Sequence, residues 1–184
     1  MRIVSGVLKG RKIKFLKNLN TRPLKDNVKE SIFNILRHSK SINIENSNIL
    51  DLYSGIGSFG IECISRGANK ITFVDKDLNA TNILKENLIK LSIIKKTRIY
   101  NSKIEDFLSL APKEKFDIFF FDPPFKDSYF LENLKIIKKK KIFKKNHIVI
   151  IHREAKSIDK IEDILQIIKT KKYGRSKIFF SVFK

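Results

Sequence analysis

Asp51-Leu52-Tyr53-Ser54-Gly55-Ile56-Gly57-Ser58-Phe59-Gly60 is the stretch on which the fold turns. The run Asn48 to Leu52 predicts a strand, and the G-x-G-x-x-G pattern after it opens a predicted helix that continues to about Arg66. Glycines in such a turn let the backbone approach a ligand closely, and the helix amino terminus behind them favours a negative group. Lys70 to Val74 predicts the next strand, which ends at Asp75, where a carboxylate can accept both hydroxyls of a ribose. Strand, glycine loop, helix, strand and acid in that order describe a nucleoside-binding α/β unit. A glycine turn required only for close packing of helix on strand is the plainer alternative.

The rhythm of strand and helix continues toward the carboxyl end. Leu84, Leu88 and Leu91 mark a helix, and Thr97 to Tyr100 a third strand. Ser102-Lys103-Ile104-Glu105 has the spacing of a capping box. If the ligand carries adenine, Ser102 and Ile104 stand at the end of the neighbouring strand and can frame the ring, although capping explains Ser102 equally well. Phe116 to Phe121 is apolar and aromatic throughout, as in a strand buried on both faces of a parallel sheet. Phe130, Leu134 and Ile137 give the following helix its stripe, and Lys138 to Lys141 reads as its solvated end. His147 to Ile151 predicts a fifth strand, closed by His152-Arg153-Glu154. Ile158, Ile161, Leu165 and Ile168 recur at helical spacing and predict a last helix. A short strand near Lys169 to Tyr173 and an antiparallel one over Lys177 to Phe183 complete the reading. The expected fold class is α/β: a doubly wound, mostly parallel seven-stranded sheet with an antiparallel last strand, in one domain over residues 1–184. Residues 1–46 form a small extension to it and residues 47–184 the core.

Asp122-Pro123-Pro124-Phe125 follows the fourth strand, at the sheet edge where open α/β folds bind ligands. Each proline fixes its own φ and removes a backbone donor, so the turn is stiff and its carbonyls remain free to accept. A planar ring bearing an exocyclic NH2 suits this chemistry: the Asp122 carboxylate and the Pro123 carbonyl each accept one N–H while Phe125 stacks on the ring. The amine lone pair is delocalised into the ring, so orientation matters more than a strong base. The tetrapeptide alone is equally consistent with a stiff loop capped by a core Phe.

The extension begins with Arg2-Ile3-Val4-Ser5-Gly6 and Gly10-Arg11-Lys12-Ile13-Lys14-Phe15, which predict a hairpin carrying Arg2, Lys9, Arg11, Lys12 and Lys14 on its exposed side. It serves equally well as an RNA platform or as an edge guarded by lysines. Val28, Ile32, Ile35 and Leu36 then predict a helix from about Leu24 to Arg37, and the polar tract Ser39 to Asn48 a linker.

Thirty-nine Lys and Arg against nineteen acids give the 184 residues a formal charge of +20. Such an excess attracts phosphate backbones with strong salt dependence, although a Lys-, Ile-, Asn- and Phe-rich composition accounts for part of it. One Cys permits no internal disulfide, and Cys63 with three scattered His offers no metal-ligand spacing. No apolar stretch approaches membrane-spanning length and no signal core is present, so a cytoplasmic monomer acting away from membranes is expected.

Two cofactors fit the glycine loop. A nicotinamide dinucleotide needs a hydride-transfer residue, and Tyr173 with Lys177 has the spacing of some dehydrogenases but lies on the last basic hairpin, which makes the match coincidental. S-adenosylmethionine needs an acid before the glycines, an acid on the ribose and a substrate loop after the fourth strand, and Asp51, Asp75 and Asp122 occupy those places. With Arg2-Ile3-Val4-Ser5-Gly6, Gly10-Arg11-Lys12, Thr21-Arg22-Pro23, Asp26-x-Val28-Lys29-Glu30 and Phe33-Asn34, the chain resembles the RsmD family over nearly its whole length. The resemblance implies a class I S-adenosylmethionine-dependent methyltransferase acting on the N2 of a guanine in 16S ribosomal RNA, free or within a small-subunit particle, without a metal. It implies that Asp51, Tyr53, Gly55, Gly57, Asp75, Lys76, Ser102, Ile104 and Asp122 bind the cofactor, with Arg22 near its methionine end. It implies further that Asp122, Pro123, Pro124 and Phe125 hold the guanine. Asp75 stands where a Glu is common, which shortens the reach to the ribose. An amino-methyltransferase for adenine N6 in DNA or a protein amide, and a non-catalytic RNA-binding assembly protein, are the alternatives.

Overall fold

A computed structural model describes residues 1–15, 24–39, 42–110 and 112–184. The seven strands are β1 (Asn48–Leu52), β2 (Lys70–Asp75), β3 (Thr97–Asn101), β4 (Phe116–Phe121), β5 (Phe143–Glu154), β6 (Leu165–Tyr173) and β7 (Ser176–Phe183). They form one sheet in the order β3-β2-β1-β4-β5-β7-β6. β1 to β5 run parallel, whereas β7 lies antiparallel between β5 and β6. The helices are α1 (Asp26–Arg37), α2 (Ser58–Ser65), α3 (Leu78–Lys90), α4 (Ile104–Ser109) and α5 (Phe130–Lys140).

β4 shows why the sheet is buried on both sides. Successive side chains of a strand point to opposite faces. Ile118 and Phe120 join the core that α1, α2 and α3 cover, while Phe119 and Phe121 join the one under α4 and α5. Phe120 stacks on Phe59 of α2 at 4.0 Å between ring centres, and Phe59 stacks on Phe33 of α1 at 5.3 Å. This aromatic column ties the extension to the central strand. Each fully buried side chain of this size contributes about 1.5–3 kcal/mol.

The amino-terminal hairpin is smaller than its alternating sequence predicts. It contains one antiparallel bridge, Arg2 to Lys12, supported by Ile3 N–H to the Arg11 carbonyl at 3.0 Å and Ile13 N–H to the Met1 carbonyl at 3.0 Å. Its anchorage is polar. The buried Glu62 carboxylate of α2 accepts the amides of Val4 and Ser5 at 2.8 and 2.9 Å. Asn87 of α3 both donates to and accepts from the Lys14 backbone, at 2.9 and 2.8 Å. The Ser39 to Asn48 tract also packs inward, through buried Ile42 and Ile44.

Three local expectations are corrected. The predicted helix through Ile158, Ile161, Leu165 and Ile168 does not exist: β7 needs an outer partner, and Leu165 pairs with Phe183 to begin β6, which is longer than the predicted Lys169–Tyr173 segment. A bulge between Ile167 and Lys169 leaves Ile168 exposed, and Ile158 is exposed in the preceding loop. β5 starts at Phe143, four residues before the predicted His147. The capping box does not form, because Lys103 is the residue before α4 and the Ser102 hydroxyl is buried without a partner. No helix among the described residues is long and apolar enough to cross a membrane.

Candidate active site

The chain leaves β1 for β2 and β3 on one side, then returns to place β4 on the other. A crevice therefore opens between the carboxyl ends of β1 and β4, where the winding reverses. It holds a cavity of about 800 Å³, within the range of small-molecule sites. The loop after β1 forms one wall with Tyr53, Ser54 and Gly55, and the loop after β4 forms the other with Asp122, Pro123, Pro124 and Phe125. Asp75 and Lys76 after β2, and Ser102 and Ile104 after β3, close the far end.

The glycines divide between two tasks. Gly55 adopts φ +53°, and a Cβ there would meet nothing within 4 Å, so its open side faces the cavity. Gly57 at φ +77° is dictated by packing: its Cβ would lie 2.4 Å from Leu84 Cδ1 and 3.0 Å from the Phe73 ring. Gly60 packs in the same way against Phe73 and Ile71. Helix-on-strand packing thus explains two glycines, and close access to the cavity explains the first.

Asp51 also stands outside the cavity lining. It is buried behind the loop, where its Oδ2 accepts the Gly60 amide at 3.0 Å and its Oδ1 has no partner. Burial raises its pKa well above the usual carboxylate range against the pull of that amide, and the charges of Asp122 and Asp75 raise it further. Asp75 is at the rim. Its Oδ2 accepts the Gly55 amide at 2.7 Å and its Oδ1 the Asp77 amide at 2.9 Å, so the acid after β2 fixes the loop after β1. Burial raises its pKa as well, opposed by those two amides.

Tyr53 holds a left-handed backbone at φ 58° and its hydroxyl accepts from Asn133 Nδ2 of α5 at 3.2 Å. Burial, followed by the Asp127 charge, raises its pKa and keeps it neutral. The hydroxyls of Ser54 and Ser102 are buried without partners, and both residues line the cavity. An orphaned buried hydroxyl costs about 1–3 kcal/mol unless something binds it. Two such groups, the open Gly55 and the Asp75 carboxylate fit a ligand with a sugar and a polar ring, as S-adenosylmethionine has.

The end of β5, which the sequence marks only as the close of a strand at His152-Arg153-Glu154, carries the supports of the loop after β4. Asp122 Oδ1 accepts from His152 Nδ1 at 2.8 Å, and His152 Nε2 pairs with the Ser176 hydroxyl of β7 at 2.9 Å. Arg153 is 3% exposed and donates to the carbonyls of Pro124 and Phe125, each at 3.0 Å. Its guanidinium also makes two bonds of 3.0 Å to Asp159 and lies 4.5 Å over the Phe130 ring. Burial alone would raise the Asp159 pKa, but Arg153 and Ser157 hold it below the usual range. A polar pair at the carboxyl end of a central strand is the signal that could have found His152 and Arg153. Tyr129 and Asp127 also line the cavity and carry no such signal.

Arg22, with Thr21 and Pro23, lies outside the described residues. Arg2, Lys9, Arg11, Lys12 and Lys14 are all exposed, and Lys14 pairs with Glu86 at 2.7 Å. Tyr173 bonds the Ser31 hydroxyl of α1 and Lys177 the Ser157 carbonyl, consistent with structural roles for both.

Known proteins are similar to this chain over most of its length. The family model described as "Conserved hypothetical protein 95" matches residues 1–182. The Bacillus subtilis protein named "Putative rRNA methyltransferase YlbH" is 33% identical over 95% of this chain and 94% of its own length. The Haemophilus influenzae "Ribosomal RNA small subunit methyltransferase D" is 33% identical over 84% of this chain and 79% of its own. A solved structure named "Putative methyltransferase yhhF from Escherichia coli" superposes with a TM-score of 0.85 at 26% identity, covering 100% of this chain and 98% of that one. The chain belongs to the RsmD family of methyltransferases.

Proposed function

We propose that this protein transfers a methyl group from S-adenosylmethionine to the exocyclic N2 of a guanine in small-subunit ribosomal RNA. The observation that carries the reading is the meeting of two walls in one cavity: a ribose-accepting carboxylate beside an open glycine, facing a stiff loop of acceptors and a half-buried aromatic ring. When bound, the cofactor supplies a sulfonium methyl, an electrophile that an oriented amine displaces. Asp75 accepts from the ribose hydroxyls, Ser54 and Ser102 offer their unpaired hydroxyls, and Ile104 forms an apolar wall for the adenine. Across the cavity Asp122 and the Pro123 carbonyl accept the two hydrogens of the target amine, and Phe125 stacks on its ring. Holding the amine in line with the methyl supplies most of the acceleration, because a near-attack geometry replaces a search in solution.

The RNA part of the reading rests on the named relatives and on the charge of +20, with Arg2, Lys9, Arg11 and Lys12 as exposed contacts for phosphate. The chain is incubated with methyl-labelled S-adenosylmethionine and unmodified small-subunit ribosomal RNA, free and as a subunit particle, and the product is digested to nucleosides. Label in N2-methylguanosine is the expected result. Label in another base leaves a methyltransferase and removes the guanine, and no label on either substrate favours a binding protein instead.

A further inference from the structure

Beyond the Asp122 backbone, the turn Asp122 to Phe125 in the loop after β4 carries five oxygens: the two of the Asp122 carboxylate and the carbonyls of Pro123, Pro124 and Phe125. β5 engages three of them. Asp122 Oδ1 is 2.8 Å from His152 Nδ1. The Pro124 carbonyl accepts from Arg153 Nη1 at 3.0 Å and from the Asp127 amide at 2.8 Å, which fills both of its lone pairs. The Phe125 carbonyl accepts from Arg153 Nη2 at 3.0 Å. Among the described residues no protein donor reaches Asp122 Oδ2 or the Pro123 carbonyl.

We infer that His152 and Arg153 are positioning residues that leave Asp122 Oδ2 and the Pro123 carbonyl as the two of these five oxygens of the Asp122–Phe125 turn that meet no donor among the described residues, matched to the two hydrogens of one primary amine. The inference rests on the assignment of Asp122 and Pro123 to the substrate amine. Chemistry fixes the direction of the first chain. A carboxylate can only accept, so His152 carries a proton on Nδ1 and donates it to Asp122, while its Nε2 meets the Ser176 hydroxyl of β7. His152 is 7% exposed, with both ring nitrogens engaged by Asp122 and Ser176. The second chain is rigid for a different reason. Arg153 spreads one planar fork over two successive carbonyls while Asp159 holds its other edge at two points, an arrangement a single ammonium cannot reproduce. Consecutive residues of a strand point to opposite sides, so one dipeptide grips the side-chain and the main-chain oxygens of the loop separately.

The test separates this inference from the reading beneath it. Long-range ¹H–¹⁵N NMR of the unmodified protein is expected to show His152 protonated on Nδ1; an Nε2–H tautomer with a bare Nδ1 overturns the inference whatever the substrate proves to be. In methyl-transfer kinetics, His152→Ala is expected to lower kcat about 10- to 100-fold, the cost of a loosely held reactant, with unchanged calorimetric affinity for S-adenosylmethionine. His152→Asn, which returns an N–H near the Nδ1 position, is expected to restore most of kcat, and His152→Gln, which reaches only toward Ser176, is not. Equal activity of the Asn and Gln variants at equal Tm overturns the positioning role. Loss of methyl transfer by the unmodified protein on every RNA and on free guanosine, with the Nδ1–H tautomer present, refutes the amine assignment and leaves the grip on the loop standing.

Discussion

The loops after β1 and β4 face each other across one cavity and are held by opposite chemistry. Acids fix the first: Asp75 binds the Gly55 amide and Asp51 the Gly60 amide, so backbone donors are consumed and hydroxyls are left over. Bases fix the second: Arg153 and His152 engage acceptors and leave Asp122 Oδ2 and the Pro123 carbonyl with no donor among the described residues. The supports also differ in sequence distance, 9 and 20 residues for the first loop against 28 to 30 for the second. A loop that must wrap a cofactor is made flexible in residue type and pinned locally. The loop that must orient an amine is made stiff by proline and pinned from another strand.

Removing the chemistry from the second loop is the strongest way to break this comparison. Asp122→Ala is expected to reduce methyl transfer by about 100- to 1,000-fold, as for loss of one positioned polar group, while RNA affinity by filter binding stays within a few-fold. Loss of both together means that Asp122 supports the fold and not the reaction. In the first loop the two glycines separate packing from access. Gly57→Ala is expected to cost about 2–4 kcal/mol in denaturant unfolding, through φ strain and the Leu84 collision. Gly55→Ala carries only the φ strain of about 1 kcal/mol and weakens cofactor binding instead. If both variants lose the same stability, the division of labour between the glycines is wrong.

Asp75→Ala is expected to weaken S-adenosylmethionine by about 1.5–3 kcal/mol in calorimetry, the worth of charge-assisted bonds to a ribose. Unchanged affinity removes Asp75 from the cofactor site. Asp51 provides a pH test. Its folded pKa lies above its unfolded value, so the folded state holds the proton more tightly and stability is lost as pH rises through that interval. The isosteric Asp51→Asn lacks this loss, so its stability relative to the parent improves as pH rises above the ordinary carboxylate range. A difference independent of pH contradicts the burial argument. The smallest effect belongs to the hairpin: each of Arg2→Ala and Lys12→Ala is expected to lower the slope of log affinity against log salt by about 0.7–0.9 if the residue meets a phosphate.

Much of this was legible because the determining signals are local. An apolar strand, a glycine loop and an acid at the next strand end are fixed by residues within about one βαβ unit, and β4 announces its burial in six consecutive residues. The misread segment after β5 lacked that property. Ile158, Ile161, Leu165 and Ile168 carry helical spacing, yet β7 recruits Leu165 to Tyr173 as its edge partner, and a pairing between strands has no periodic signature of its own. Ser102 shows the same limit at one residue: its spacing to Glu105 suits a cap, while packing buries its hydroxyl at the cavity instead.

By itself the sequence determined the strand-helix alternation, the edge of the sheet at which ligands bind, and the chemical types gathered there, because backbone propensity and burial periodicity act over neighbouring residues. Only the tertiary structure decided which glycine faces the cavity, that Asp51 lies behind it, and that His152 and Arg153 govern the loop after β4. Those facts depend on which strands lie side by side and in what register, and hydrogen bonds spanning about thirty residues are set by that pairing and leave no local trace.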